Sequence, residues 1–326
     1  MQVRTGIRLA ALCAALGAAT AAGWAAGAQE PPRRPSTLEV NQVLRVGDRI
    51  VTAEDLIARI RDAEMEDPKG KKFVVPSLLY LRDVALLELE AERLGLILTE
   101  EEIDKHARRQ IDALKAEVKR QYQGILTWSD FVKESYGKTE EEFEAYLRER
   151  LPVILRRRVL VNYFMQATEG VEVWRILVER ESAAEEICEQ LRKTGAKERL
   201  ERFKELAVQK SIDAGSNLNQ GRVGRVFRHA WTIDPPEGEA AVWALADGEV
   251  SKPVKSRGGY SVIMRAQTFT PSTRSFADLR AELLDAPDVD ASASNTWVLY
   301  VGNTRKYPIE QRVPGIDCKP NQKAGK

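Results

Sequence analysis

Residues 248–265, GEVSKPVKSRGGYSVIMR, decide how the second half of this chain is read. Residues 250–254 lead in and are broken by Pro253. Residues 256–259 turn, and residues 260–264 run out as a strand. Val262, Ile263 and Met264 are types that favour buried strands, and adjacent Gly258 and Gly259 supply the positive φ of a tight turn. Ser261 is the exception, a small polar residue entering an apolar strand. The stretch is open to two readings: an ordinary structural hairpin, or the floor of a site whose chemistry has been altered.

The chain around it has 326 residues, enough for two domains with sizeable cores. Charged residues make up 30% and hydrophobic residues 43%, a soluble, helix-rich balance without a bias to disorder. A formal net charge of +1, with acids and bases interleaved, gives no case for nucleic acid as partner. The first residues differ. Arg4 and Arg8 precede an Ala- and Gly-rich apolar run ending in Ala26-Gly27-Ala28, the pattern of an export signal over residues 1–28. A retained membrane anchor and, through Cys13, a lipoprotein signal are the alternatives. Leu12 sits where a lipoprotein signal wants a small residue, and the run is weak for a permanent span. Cleavage after Ala28 removes Arg4 and Arg8 and so takes the formal charge from +1 to −1. It leaves Cys188 and Cys318, in no metal-type or CxxC spacing, and a disulfide between them is allowed but unsupported. With only His106 and His229, no metal site and no cofactor are expected.

Residues 29–37, QEPPRRPST, are a Pro-rich linker. A strand pair turning at Gly47-Asp48 follows, then a helix opened by Thr52 and Asp55. That hydroxyl-to-acid spacing of three recurs at Thr99 and Glu102, Thr127 and Asp130, Thr139 and Glu142, Ser182 and Glu185, and Ser275 and Asp278. The recurrence lays out long helices up to about residue 165, with Pro152 kinking or splitting the last. From Val171 the texture changes to strand, two helices, a loop over residues 211–226, an irregular stretch with Pro235-Pro236, a short helix, and the hairpin already quoted. A helix from Ser275 and one more strand-like run within residues 293–311 complete the chain. The layout is α+β.

Three ordered segments then carry a family resemblance: WRILVERESAAEEICEQLRKTG, FKELAVQKSIDAGSNLNQGRVG and VWALADGEVSKPVKSRGGYSVIMR. Together they resemble the parvulin family of peptidyl-prolyl cis-trans isomerases. With VGDRIVTAEDL and RLGLILTEEEID ahead of them, the whole resembles the extracytoplasmic foldase-chaperones. The resemblance implies a helical chaperone-like domain over residues 38–168 and a small parvulin (FKBP-like) domain with antiparallel sheet over 169–270. A C-terminal helix and strand over 271–312 would pack back on the N-terminal domain, and a tail covers 313–326.

Prolyl isomerisation must lower a rotation barrier of roughly 18–20 kcal/mol, which calls for an apolar slot and polar groups near the carbonyl and imide nitrogen. On the resemblance, Asp213 holds the family's Asp/Cys position and Ser256 its hydroxyl position, so these are the catalytic candidates. A loop-capping carboxylate is the competing reading of Asp213. Arg175 stands where the family has its first-strand histidine and Ser261 where it has the last, and Trp231 takes the pocket's Met place. Those three are the substrate-binding candidates, with Trp243 and Tyr260 read as core and His229 outside the site. Of the family's Gly-Gly, Gly221 is kept and Gln220 replaces the other. Arginine is always charged and cannot change tautomer, so near Asp213 it forms a fixed ion pair rather than a tunable network. The expected function is an exported, periplasmic or extracytoplasmic folding factor that binds unfolded or nascent exported polypeptides, with isomerase activity weak or lost. The alternative is an active isomerase using a reduced site of Asp213 and Ser256.

Overall fold

The computed structural model describes residues 38–66, 72–231 and 237–312. The signal, the linker, the tail with Cys318, and Pro235 with Pro236 lie outside the described residues. The chain forms two compact units. The first holds the described residues up to Asn162, Arg280–Ala291, and those from Tyr307 on; the second holds Tyr163–Leu279 and Ser292–Lys306.

In the first unit β1 (Gln42–Val46) and β2 (Arg49–Thr52) pair antiparallel, and alternation buries Gln42, Leu44 and Val46. Helix α1 (Ala53–Glu66) opens where Asp55 N donates to Thr52 Oγ1 (3.2 Å) and Thr52 N donates to Asp55 Oδ2 (2.8 Å). α2 (Val74–Leu94) follows. The reciprocal cap then recurs for α3 (Glu100–Tyr122) at Thr99 and Glu102. Thr127 Oγ1 accepts from Asp130 N at the start of α4 (Trp128–Tyr136), and Thr139 and Glu142 cap α5 (Glu140–Ala167). Ile111, Leu114 and Val118 of α3 pack on Phe131 and Val132 of α4 and on Phe143 and Leu147 of α5. Pro152 does not split α5. A mid-helix proline costs about 3 kcal/mol. Leu147, Leu151 and Leu155 beside it are buried, each contributing about 1.5–3 kcal/mol.

The second unit runs β3 (Gly170–Val178), α6 (Glu181–Lys193), α7 (Arg199–Lys210), α8 (Ala214–Leu218), β4 (Arg222–Phe227), α9 (Glu237–Trp243), β5 (Glu249–Val250), β6 (Val254–Ser256) and β7 (Gly259–Phe269). Its sheet has the order β4-β3-β7-β5, with β6 also on β7 and every pairing antiparallel. The fold class is α+β. One sheet face carries Trp174, Ile176, Val178, Val262 and Met264 under α6 and α7. The other carries Val171, Val173 and Ile263 with Val226, Val242, Trp231 and Trp243. Cys188 is buried on the helix side, and its Sγ donates to Ser251 O at 3.3 Å.

The quoted hairpin is structural in its backbone. Ser251 N donates to Ile263 O (2.8 Å), and Ile263 N donates back to Ser251 Oγ (3.0 Å). Gly259 has φ +140°, and a Cβ there would stand 2.1 Å from Val178 O, so the strand β7 can start against the end of β3 only with glycine.

Three local readings change. Residues 222–226 read as loop, but with Phe227 they form the edge strand β4. Gly224 and two arginines hide its pattern, and the ladder to β3 is irregular between Val173 and Trp174. Helix α6 starts at Glu181 after Arg180, so Ser182 lies inside its first turn and caps nothing. The strand-like run within residues 293–311 is mostly the helix α11 (Ala291–Arg305), which follows α10 (Phe276–Leu284). Its β-type residues Val298 and Val301 join Trp297 as buried positions of that helix, so tertiary burial outweighs local preference. Only β8 (Ile309–Gln311) is extended, paired antiparallel with β1.

The chain's return to the first unit is held by charge. Arg280 donates from Nη1 and Nη2 to Glu102 (2.7 and 2.8 Å). Tyr307 Oη donates to Glu90 Oε1 (2.8 Å), whose carboxylate Arg93 also holds. The Arg280 bond is the main reason that the Glu102 carboxyl falls from 4.5 to about 2. A carboxyl depressed on folding stabilises above its unfolded value and loses that contribution as pH falls through the folded one. Glu102→Gln should therefore lower the urea unfolding free energy by about 1–2 kcal/mol at neutral pH, discounted for partial exposure. The difference from wild type should shrink between pH 4.5 and about 2. A difference that stays constant over that range would assign the loss to helix capping instead.

Candidate functional site

Alternation along β3 puts Val173, Arg175 and Leu177 on one face, away from α6 and α7. Across the ladder Arg175 faces Ile263 and Leu177 faces Ser261, so Arg175 and Ser261 are diagonal neighbours on that face, at roughly 7–8 Å. The apolar floor beside them is Val171, Val173, Ile263 and the partly buried Trp231. Trp231 lies tightly on Gly238: a Cβ there would stand 2.7 Å from its Cζ2.

Two polar pairs stand on this face. Arg175 Nη2 donates to Asp213 Oδ2 at 2.8 Å, with the side chains 14% and 32% exposed. Ser256 and Ser261 share a 2.6 Å hydroxyl hydrogen bond in which either oxygen can donate, and Ser261 is fully buried. The structure therefore joins Arg175 to Asp213 and Ser256 to Ser261, and places Trp231 in the apolar floor. Tyr260 packs on the opposite, helix-side cluster, where a hydrogen bond with Glu181 pushes its hydroxyl up. Trp243 packs in the floor cluster under Arg228, 4.3 Å from its ring centroid. His229 serves the backbone: its amide donates to Glu239 (2.6 Å) and its carbonyl accepts from Asn303 (2.7 Å).

Asp213 and Arg175 are held in place by Ser211, which the sequence does not single out, and by Gly221, the glycine kept from the family's pair. Ser211 closes α7, its Oγ accepts from Leu177 N (3.2 Å), and Ile212 N donates to Leu177 O (2.8 Å). Asp213 is thereby clamped to β3 opposite Arg175. A serine ending an amphipathic helix just before an acid was the available signal. Gly221 O accepts from Arg175 N (2.7 Å), and a Cβ on Gly221 would stand 2.9 Å from Ala207 Cβ, so only glycine passes there. Gln220 before it adopts φ +55°, a left-handed conformation that costs a side chain about 1–2 kcal/mol.

The chemistry this arrangement offers is narrow. The guanidinium carries an arginine's permanent charge, neutralised and fixed by Asp213. The serine pair keeps one hydroxyl hydrogen within the pair and leaves at most one to donate. The apolar floor itself is closed packing, with Val173 and Ile263 fully buried and Trp231 partly buried beside them. Among the described residues no group of three His, Cys, Asp or Glu is placed to hold a metal, and no helix is long and apolar enough to cross a membrane.

Residues 176–267 match the family model described as a PPIC-type PPIase (rotamase) domain. The foldase protein PrsA of Caldanaerobacter subterraneus subsp. tengcongensis is 30% identical over 217 residues, 62% of this chain and 61% of the relative. The PrsA of Halalkalibacterium halodurans is 26% identical over 74% of this chain and 70% of its own length. The solution structure of NmPin, the parvulin of Nitrosopumilus maritimus, is 32% identical, covering 31% of this chain and 98% of that one, at a TM-score of 0.26. The matched part of the chain thus spans under two thirds of the first relative's length.

If the ion pair is a unit, a double-mutant cycle should show it. Arg175→Met and Asp213→Asn are expected to destabilise singly, with a coupling energy of about 1 kcal/mol in the double variant by urea unfolding, given its partial exposure. Strict additivity would make Asp213 a loop cap that merely lies near Arg175.

Proposed function

We propose, for a chain that belongs to the parvulin-type peptidyl-prolyl isomerases with a helical chaperone domain, an exported folding factor that binds unfolded client polypeptides and turns X-Pro bonds over weakly or not at all. The observation that carries this reading is the Arg175–Asp213 ion pair on the sheet face beside an apolar floor. The resemblance puts histidines at the positions of Arg175 and Ser261. General acid–base groups contribute typically 10²–10⁴-fold and oxyanion-type donors about 10²–10³-fold, so losing two of them takes activity close to the uncatalysed rate. Trp231, partly buried beside that floor, is the apolar surface left for a proline ring, which leaves a binding module.

Support for client holding lies in the first unit. Val40, Ile97 and Ile125 are 92%, 74% and 90% exposed, single apolar side chains that an unfolded segment can cover. Export rests on residues 1–28. The second reading, an active isomerase, is favoured by one observation: the Ser256–Ser261 hydroxyl pair stands on the face that would seat the proline. On that reading Asp213 and Ser256 polarise the imide, and Trp231 and Ser261 line the slot.

One preparation, assayed for isomerisation of X-Pro peptides and for suppression of aggregation of an unfolded client, separates the two readings. Aggregation should be slowed at near-stoichiometric ratios, and the isomerisation rate should stay within a few-fold of the uncatalysed one. Asp213→Ala should leave both unchanged. Fast isomerisation that Asp213→Ala abolishes would establish the second reading, and failure to slow aggregation would remove client binding.

A further inference from the structure

Arg225, on the edge strand β4, is built into the fold in an unusual way. Its guanidinium lies over two rings, Phe227 at 4.9 Å and Phe269 at 4.5 Å, and Nη2 donates to Thr168 O at 3.0 Å. Gly170 makes the room: a Cβ there would stand 2.5 Å from Arg225 Nε and 3.1 Å from Phe227 Cε1. The charge is fixed but poorly compensated. Glu172, its partner across the ladder, gives its carboxylate to Arg222 at 2.6 Å. Asp247, at the far side of Thr268, is taken by Arg265 and by Thr268. Nε is buried with no acceptor among the described residues, and burial pushes the guanidinium's pKa down.

This cation lines an open groove of about 490 Å³. The other walls are the Phe269 ring and neutral groups including Gln166, Gln267, Thr268 and Ser272, with no acid among them. A pinned arginine lining an open groove, beside neutral hydrogen-bonding groups and an aromatic wall, is suited to a carboxylate. We infer that this groove is a carboxylate-binding subsite for an extended acidic polypeptide segment, apart from the Arg175–Asp213 face. The polypeptide nature of the ligand rests on the client-binding reading; the carboxylate does not. A chain's C-terminus and an Asp or Glu side chain supply the same group.

Fluorescence anisotropy of short labelled peptides on the full chain tests this. The matched set is a free C-terminal acid against its amide, and internal Asp against Asn. Carboxylate forms should bind about tenfold to a hundredfold more tightly, the range for a hydrogen bond to a charged group. Whichever pair shows the difference identifies the source. Arg225→Gln should abolish the difference while leaving aggregation suppression by the first unit in place, so loss of the latter in wild type would count against client binding and not against this site. The side-chain NMR signal of Arg225 should shift on saturation with the acid peptide. Should Arg225→Gln lose the wild-type melting transition, the wild-type acid–amide comparison and that signal decide. Equal affinity for acid and amide forms, or an unshifted Arg225 signal, overturns the subsite.

Discussion

The antiparallel pairing of β3 with β7 is the constraint on which the second unit depends. It runs from Gly170–Phe269 to Val178–Tyr260, and it sets which side chains share a face. A one-residue slip of β7 against β3 would turn Val262 and Met264 away from α6 and α7 and put Ser261 and Ile263 there instead. One close approach holds that register: Gly259 meets Val178 O at its end, while Ser251 doubles its bonds to Ile263 on the other side of β7. The same register that buries the core thus sets Arg175 and Ser261 side by side over the apolar floor.

That dependence explains what was legible in the sequence. The hairpin at residues 248–265 has glycines whose need is steric and strands whose residues are apolar, so its form follows from local chemistry. The caps at Thr52, Thr99, Thr127, Thr139 and Ser275 are likewise local hydrogen bonds, visible as residue spacing. Failures came where long-range packing governs. β4 owes its extension to β3 rather than to RVGRVF itself, and α11 stays helical although VLYV favours a strand. Ser182 has the right spacing but the wrong register, because α6 begins one residue before it.

The candidate site was legible in its members and less so in its supports. From the resemblance that sets Arg175 near Asp213, a fixed ion pair was expected, and the two are 2.8 Å apart. Ser256 bonding to Ser261 was not foreseen, because a hydroxyl pair at that spacing needs the β6–β7 turn to fold it together. The roles of Ser211 and Gly221 appear only once β3 is in place, where Ser211 Oγ takes Leu177 N and Gly221 O takes Arg175 N. Arg225 was invisible for a related reason: its setting combines Gly170, Thr168, Phe227 and Phe269 from three segments.

On the proposed reading this face keeps the isomerase scaffold and Asp213, while Arg175 and Ser261 stand where the resemblance puts histidines. The most direct measurement is the X-Pro isomerisation rate of the full chain carrying Arg175→His and Ser261→His together. Restored acid–base groups on an intact floor should raise the rate at least about tenfold over wild type, the conservative end of what such groups contribute. A wild-type rate that is already high, and that the double variant leaves unchanged or lowers, would contradict it.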